Sequence, residues 1–513
     1  MFSTILSGAF CGIESYLVSV EVDVSQGLPC MEMIGALSRE AGEAKERIRV
    51  ALKNTGIRIP PSRITINLSP AERHKSGTAF DLPAAVGLLV SMGELAAERT
   101  KGILFAGELG LNGELKPVRG VLPIVRCAQA AGITTCIVPE KNGAEAAVAG
   151  TMRVYGASCL SEVIHGLRDG MERAGLYPLS VPAQEETLPS TVDFAEIAGQ
   201  ENVRRAAEIA AAGFHHMLLI GPPGGGKTMI AKRMPTILPP LSREESLEVS
   251  ELYSVCGRLP DGRVLKRRPF LAPHHTVTAA ALTGGGRIPS PGAVSLAHRG
   301  VLFLDELTEF RRGVLDVLRQ PLEDKKVQIA RNYGTVEYPS DFMLIGAMNP
   351  CPCGHYPDET RCRCGETQIR RYLAHVSGPL LDRFDLCVEV RPVETKELLG
   401  KGRGESSAQI RSRVTAARSM AQERFRGAGI RFNGEMDTGM LERFCTLEDK
   451  ARAQLARAAE LFSLSGRACH KVLRTARTIA DLDGSESICT HHINEAVYYR
   501  TAAGRYWERS GCR

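Results

Sequence analysis

Aromatic residues and long apolar segments are both scarce in this 513-residue chain. It contains one tryptophan, and aromatic residues make up only 5% of the total. No segment approaches the ~20 uninterrupted apolar residues that a transmembrane helix needs, so we predict no membrane contact. The first residues lack the basic region of a secretory signal peptide, and Glu14 interrupts their apolar run. We therefore expect a soluble, cytoplasmic protein.

The cysteines do not follow the pattern of a secreted protein. There are 15 of them, an odd number, and most are scattered singly. A disulfide framework is therefore not expected in a chain of this length. Hydrophobic residues make up 43% of the chain and charged residues 24%, close to globular averages, which excludes a disordered or low-complexity protein.

The whole chain has only a small excess of positive charge, and this excess is unevenly distributed along the sequence. The net charge is +6, yet residues 401–513 hold 20 basic against 13 acidic side chains. Residues 1–400 hold 44 basic and 45 acidic side chains. Such a basic region faces nucleic acid or an acidic partner, or forms an ordinary solvated helical surface.

The order of sequence patterns predicts an α/β protein in three parts. Residues 1–175 mix amphipathic helices with short strands, such as Val18–Val24, where valines alternate with polar residues. A linker rich in proline, serine and threonine follows at 176–192. Residues 193–395 alternate apolar strands with helices, which predicts a parallel sheet. Residues 396–513 have helical spacing and predict a helical lid.

A phosphate-binding loop is predicted at the start of the second part. The strand 216–220 runs directly into an eight-residue stretch that matches the motif G-x-x-x-x-G-K-[ST] and opens a helix. That stretch consists of Gly221, Pro222, Pro223, Gly224, Gly225, Gly226, Lys227 and Thr228. Backbone N–H groups of such a loop converge on phosphate oxygens. We expect Lys227 to contact the β- and γ-phosphates of ATP and Thr228 to bind Mg²⁺.

Polar residues follow two further buried strands of this part. Asp305 and Glu306 end the strand 301–304, where Asp305 would bind Mg²⁺ and Glu306 would polarise the attacking water. Asn349 ends the strand 342–348 and would orient that water or contact the γ-phosphate. The alternative for Asn349 is a turn-forming role before Pro350.

Arg383 lies just before a fourth strand, 386–390. It is placed to act as an arginine finger on the γ-phosphate of a neighbouring subunit. The alternative is a structural ion pair with Asp382 or Asp385.

Four cysteines are close together in the second part. Cys351, Cys353, Cys362 and Cys364 form two C-x-C pairs, and His355 lies between them. Four thiolates suffice for a tetrahedral Zn²⁺ with a structural role. The alternative is a flexible loop with four reduced cysteines.

Longer motifs make a family resemblance specific. In order along the chain they are GPPGGGKT, APHHT, PGAVSLAHRGVLFLDEL, GAMNPCPCG, GPLLDRFD and SGRACHKVLRTARTIADL. Together they resemble the YifB/ComM family of magnesium-chelatase-like AAA+ ATPases over nearly the whole chain. The resemblance implies a homo-hexameric ring, Mg²⁺ and ATP bound between subunits, and Arg383 acting in trans.

The same resemblance assigns roles outside the phosphate-binding loop. Arg467 matches the second sensor, a lid arginine that contacts the γ-phosphate, and Arg474 is the less favoured candidate. The pre-sensor hairpin of the family matches 324–339, where Lys325, Lys326 and Arg331 would contact DNA.

The N-terminal third resembles the α+β domain of Lon protease, without its catalytic dyad. Ala79 stands at the position of the Lon serine, and Leu122 at that of the lysine. Because an acylating serine needs an adjacent base, peptide hydrolysis by that dyad is not expected. The domain is interpreted as an assembly or DNA-binding platform.

The resemblance implies an ATP-driven DNA helicase that catalyses branch migration in homologous recombination and natural transformation. With so few aromatic residues, single-stranded or branched DNA would be bound without sequence specificity. Two alternatives are a magnesium-chelatase motor subunit, which the fused Lon-like domain argues against, and a protein-remodelling chaperone.

Overall fold

The computed structural model describes residues 1–180, 192–286, 289–331, 334–358, 360–392, 404–502 and 504–507. Most of the predicted linker and the predicted boundary at residue 395 lie outside these ranges, so the domain limits stay predictions. The mixed α/β class predicted from the sequence is confirmed. No helix of the described ranges is both long and apolar enough to cross a membrane.

The N-terminal part is built on a mixed seven-stranded sheet with the order β3-β4-β2-β1-β5-β8-β9. The strands of this part are β1 (Phe2–Cys11), β2 (Glu14–Ser25), β3 (Cys30–Ile34), β4 (Arg63–Ser69), β5 (Ile103–Phe105), β6 (Glu108–Leu109), β7 (Leu115–Lys116), β8 (Thr135–Pro139) and β9 (Arg153–Ala157), of which β6 and β7 pair with each other outside the seven-stranded sheet. Its helices are α1 (Arg39–Gly42), α2 (Ala44–Asn54), α3 (Asp81–Ser91), α4 (Val121–Ala130), α5 (Glu140–Ala147) and α6 (Leu160–Asp169).

Alternation in the sequence determines the faces of this sheet. Val18, Val20 and Val22 of β2 are fully buried, as the period of two predicts. Helix α3 packs on the same strands and is buried along its whole length. A Cβ at Gly87 would lie 2.7 Å from a methyl carbon of Val22, so glycine allows this close approach.

The central part contains a fully parallel five-stranded sheet with the order β11-β14-β17-β10-β18. The strands of this part are β10 (Met217–Ile220), β11 (Phe270–Leu271), β12 (Gly284–Gly285), β13 (Ser290–Pro291), β14 (Val301–Leu304), β15 (Lys326–Arg331), β16 (Gly334–Pro339), β17 (Met343–Met348) and β18 (Leu386–Glu389). Its helices are α7 (Glu201–Gly213), α8 (Lys227–Ile237), α9 (Arg243–Val255), α10 (Ala279–Thr283), α11 (Ala293–Leu296), α12 (Arg312–Asp316), α13 (Arg319–Asp324), α14 (Glu366–Leu373) and α15 (Gly378–Leu381).

The described residues after 404 are helical, as expected for a lid. The helices are α16 (Ser407–Arg424), α17 (Thr438–Phe444), α18 (Asp449–Leu461), α19 (Gly466–Leu482), α20 (Thr490–Thr501) and α21 (Gly504–Trp507). Short 3₁₀ helices elsewhere in the described chain span Ala97–Arg99, Phe194–Glu196, Pro260–Gly262, Leu307–Glu309 and Asn433–Glu435. One continuous hydrophobic core joins the sheet, α7 and the lid.

Polar contacts connect the N-terminal sheet with the central part. The Arg126 guanidinium pairs with the Glu251 carboxylate of α9. The carboxylate of Glu145 accepts hydrogen bonds from the backbone N–H of Leu122 and from the hydroxyl of Ser254. Helix α9 is thereby held against α4 and α5.

Candidate nucleotide-binding site

The predicted phosphate-binding loop lies between β10 and α8, at the carboxyl edge of the parallel sheet. This strand–loop–helix arrangement is the one that the motif requires. Gly224 and Gly226 have φ values of +77° and +88°, which disfavour any residue with a side chain. A Cβ at Gly221 would lie 2.2 Å from the carbonyl oxygen of Val390, so the loop turns directly against the end of β18.

Lys227 points back into this loop. Its ammonium donates hydrogen bonds to the carbonyls of Gly221 and Pro222, at 2.7 and 2.8 Å, and to Oδ1 of Asn349, at 3.0 Å. Burial lowers the pKa of Lys227, and the carboxylates of Asp305 and Glu306 oppose that shift. A phosphate would offer this buried cation a better partner than neutral carbonyls.

The magnesium-binding residues predicted from the sequence are in contact. The hydroxyl of Thr228 donates a hydrogen bond to Oδ2 of Asp305 at 2.6 Å. A hydroxyl and a carboxylate side by side are the hard oxygen ligands that Mg²⁺ takes next to substrate phosphates. The donor set at this point therefore fits Mg²⁺.

Glu306 has a partner that sequence reasoning missed. Its Oε2 lies 3.2 Å from Nδ1 of His275, which belongs to the loop after β11. The Glu306 backbone has a φ of +51°, and its side chain is 60% exposed. His275 lies in the APHHT motif, which is visible in the sequence. The sequence alone does not show that Glu306 is the partner of this histidine.

Arg383 does not form either of the ion pairs considered as alternatives. It pairs with Glu323, whereas Asp382 pairs with Arg500 and Asp385 pairs with Lys471. The alternative of a pair with a neighbouring aspartate is therefore wrong, because both aspartates are bound by cations of the lid.

A separate cavity brings Arg383 together with lid cations. It encloses about 370 Å³, and its lining includes the cations Arg383, Arg467, Lys471 and Arg474 together with carboxylates such as Glu323, Asp382 and Asp385. None of its described lining residues belongs to the phosphate-binding loop. We call it the arginine cavity. The Nε atoms of Arg383 and Arg474 are buried there without a hydrogen-bond partner among the described residues. The predicted finger and the predicted sensor thus line the same cavity, and Lys227 is not among its described lining residues.

The predicted hairpin is present as β15 and β16, but its cations are not all free. Lys325 forms an ion pair with Glu435 of the lid and lies 3.6 Å from Asp341. Lys326 pairs with Glu337 across the hairpin at 3.0 Å, near its exposed surface. The side chain of Arg331 lies outside the described residues.

The four cysteines of the C-x-C pairs come together and form the cysteine cluster. Three Sγ distances are 3.3 Å for Cys351 to Cys353, 3.8 Å for Cys351 to Cys362 and 3.6 Å for Cys353 to Cys362. Cys364 joins them, with all four sulfurs within 4.8 Å of one another. Zinc–sulfur bonds of about 2.3 Å place tetrahedral thiolates about 3.8 Å apart, so the cluster fits Zn²⁺.

Backbone N–H groups contact two sulfurs of this cluster, whereas burial raises the pKa of Cys362 to about 12 and also raises that of Cys364. The N–H of Tyr356 donates to the sulfur of Cys351 at 3.4 Å. The backbone N–H of His355 is the main cause that lowers the pKa of Cys353 to about 6. His355 thus serves the cluster through its backbone rather than as a ligand.

The cysteine cluster packs against the phosphate-binding loop. A Cβ at Gly354 would lie 2.3 Å from Cδ of Pro223. Cys351 also follows Asn349, the acceptor for Lys227, by two residues. The cluster therefore adjoins the candidate nucleotide site on two sides.

Comparisons with known proteins match nearly the whole length of the chain. Residues 193–398 match the family model for magnesium chelatase, subunit ChlI, residues 20–142 match a second ChlI model, and residues 404–500 match the ChlI C-terminal model. The chain is 41% identical to competence protein ComM of Haemophilus influenzae over 97% of both chains. It is 40% identical to the uncharacterized protein YifB of Salmonella typhimurium over 96% of both. It is also 31% identical to Lon protease 2 of Bacillus subtilis over 37% of this chain and 38% of that protein.

Proposed function

Because the chain belongs to the ComM and YifB family of magnesium-chelatase-like AAA+ proteins, we propose that it is an ATP-hydrolysing ring motor that remodels DNA. It would act in the cytoplasm on single-stranded or branched DNA, as a helicase in branch migration. The observation that carries the ATPase part is the meeting of Lys227, Thr228, Asp305 and Asn349 at one sheet edge.

ATP and Mg²⁺ are the cofactors that this edge would hold. Thr228 and Asp305 would bind Mg²⁺, which neutralises charge on the phosphates. Lys227 would exchange its carbonyl partners for phosphate oxygens. Glu306 would polarise the attacking water once His275 releases its carboxylate, and Asn349 would orient the same region.

The arginine cavity supports a site completed by a neighbouring subunit. Arg383 and Arg467 lie together but apart from the phosphate-binding loop of their own chain. In a closed ring, one surface of each subunit meets a different surface of the next. Both arginines would then stabilise the γ-phosphate bound by the neighbour, which is the arrangement of a hexamer.

Support for DNA as substrate comes from the relatives and from charge. One relative over the full length is named a competence protein, which favours roles in recombination and natural transformation. The basic excess after residue 401 and the exposed Lys326 offer cations for phosphates. Both hairpin lysines are paired, but Lys326 pairs with the exposed Glu337, whereas the partners of Lys325, Glu435 and Asp341, are mostly buried, so Lys325 is the weaker candidate.

The N-terminal part would serve as a platform and not as a protease. Ala79 and Leu122, which replace the Lon dyad, are both buried, at 8% and 0% exposure. Neither side chain supplies a nucleophile or a base.

The cysteine cluster would hold one structural Zn²⁺. Three of its sulfurs are 3.3–3.8 Å apart, close to tetrahedral spacing, and all four lie within 4.8 Å of one another. A metal there would fix the loop that follows Asn349. Metal analysis of the wild type and of the Cys351→Ser, Cys353→Ser double variant tests this. We expect about one equivalent less in the variant, and equal metal content would contradict the assignment.

The experiment that tests the proposed function compares substrates. ATP hydrolysis would be measured without addition, with single-stranded DNA, with forked or four-way DNA, and with unfolded protein. We expect stimulation by DNA that weakens with salt. Stimulation by unfolded protein alone would favour the chaperone alternative.

A further inference from the structure

A second group of metal-binding side chains lies at the start of α20, in the lid. Cys489 is the residue before the helix, and His491 and His492 fall in its first turn. The Sγ of Cys489 lies 3.2 Å from Nδ1 of His491 and 3.2 Å from Nδ1 of His492. The three residues offer ligand atoms that all lie within 4.8 Å of one another.

Asp483, at the end of α19, influences which ring nitrogens of His491 and His492 are available to bind a metal. Its Oδ2 lies 3.3 Å from Nε2 of His491 and 3.3 Å from Nε2 of His492. An imidazole that donates its Nε2–H to a carboxylate keeps the lone pair of its Nδ1 free. Metal-bound histidines commonly donate their second N–H to a carboxylate in this way. Asp483 accepts a hydrogen bond from Nε2 of His491, and the backbone N–H of Cys489 donates to Nδ1 of His492. Both contacts favour the tautomer in which Nδ1 carries the lone pair that a metal would bind beside the cysteine sulfur.

We propose that Cys489, His491 and His492 form a second Zn²⁺ site, oriented by Asp483. One thiolate and two imidazoles are a ligand set that suits zinc. Zinc–sulfur bonds of about 2.3 Å and zinc–nitrogen bonds of about 2.0–2.1 Å place S and N about 3.5 Å apart in a tetrahedron. The distances of 3.2 Å need only a small outward adjustment.

The surroundings allow a metal to enter and leave a fourth position for solvent. His491 is 67% exposed, whereas His492 is 1% exposed and anchors the site. Nδ1 of His492 also accepts the backbone N–H of Cys489 at 3.0 Å. Zinc would take over this lone pair, and the N–H at the helix start would turn to solvent.

The site lies where the lid meets the central part. Asp483 is 3.4 Å from the guanidinium of Arg205 on α7, and Arg205 also pairs with Glu495 of α20 at 3.0 Å. Zinc would connect the start of α20 to this network, and so strengthen the joint between α7 and the lid.

Metal content of the full-length chain, purified from zinc-supplemented cells, tests the proposal. Cys489→Ser and His491→Ala are each expected to remove one equivalent of zinc. Serine is a preferred residue before a helix, so Cys489→Ser keeps the start of α20. Cys469→Ser in α19 is the matched control and is expected to keep the wild-type content. Equal zinc in wild type, Cys489→Ser and His491→Ala would overturn the proposal.

A second comparison separates this site from the cysteine cluster. The Cys351→Ser, Cys353→Ser double variant is expected to retain one equivalent that Cys489→Ser then removes. If the cluster holds no metal, the wild type carries one equivalent, which Cys489→Ser removes and the double variant keeps. With Co²⁺ added to the double variant, a thiolate-to-metal absorption band is expected, and its persistence after Cys489→Ser would contradict the assignment.

Discussion

Individual polar side chains at the edge of the central sheet are held by partners that a nucleotide would replace. Lys227 is held by two carbonyls and Asn349, and Thr228 by Asp305. The hydrogen bonds of Lys227 hold its ammonium inside the phosphate-binding loop. ATP would exchange them for phosphate and Mg²⁺ without a change in the sheet.

Glu306→Gln separates binding from hydrolysis at this site. The amide keeps the shape but removes the base, a loss of about 10²- to 10⁴-fold in turnover. Nucleotide affinity is expected to stay near wild type in a calorimetric titration. Lys227→Ala is the matched comparison, which should lose both binding and turnover. Normal hydrolysis by Glu306→Gln would contradict the role of this carboxylate.

His275→Ala tests whether His275 restrains Glu306. The 3.2 Å contact would be lost, and an exposed pair of this kind contributes about 0.2–1 kcal/mol. We therefore expect basal ATP hydrolysis without DNA to rise by up to about fivefold. His274→Ala, which removes the neighbouring imidazole, should leave the basal rate unchanged. An unchanged or lower rate in His275→Ala would exclude a restraining role.

At the scale of elements, local patterns predicted most of the fold. The alternation of β2 and the strand–loop–helix at β10 and α8 are determined by neighbouring residues, whereas the hairpin of β15 and β16 is implied only by the family resemblance. Ala41, Ala44, Ile48 and Leu52 have the spacing of a single helix, but the structure divides this segment at Glu43 into α1 and α2, and all four residues are buried. Weak signals at an exposed turn do not reveal such a break.

Contacts between distant segments could not be predicted. The family resemblance predicts that Lys325 contacts DNA, but its partner Glu435 lies 110 residues away in the sequence. The family resemblance assigns Arg467 to the second sensor, but only the packing of α19 brings this residue to the cavity that Arg383 also lines. The partner of Glu306 likewise depends on how the loop after β11 folds over β14.

Gly354→Ala tests the contact between the cysteine cluster and the phosphate-binding loop. Its φ of +81° disfavours alanine, and the new methyl would meet Pro223. Strain of about 1–2 kcal/mol, relieved by displacing the loop, corresponds to a roughly 5- to 30-fold loss of ATP affinity. Gly365→Ala is the control, because a Cβ there meets no atom within 4 Å. Equal ATP affinity in the two variants would contradict the coupling.

At the scale of the whole molecule, the proposed ring would divide each ATP site between two neighbouring subunits. A ring therefore permits complementation between inactive variants. Arg383→Ala alone should lower turnover by about 10³- to 10⁵-fold, the contribution of an arginine finger. Mixing it with Lys227→Ala should restore part of the activity, because intact loops then meet intact fingers. Mixtures that stay as inactive as their components would contradict action in trans.

Strand exchange in a labelled four-way junction measures the proposed ATP-driven remodelling of DNA directly. Wild-type protein with ATP and Mg²⁺ should convert the junction into duplex products. Glu306→Gln should bind the junction and leave it intact. If the junction stays unchanged under conditions in which the wild type hydrolyses ATP, the proposed remodelling of DNA is contradicted.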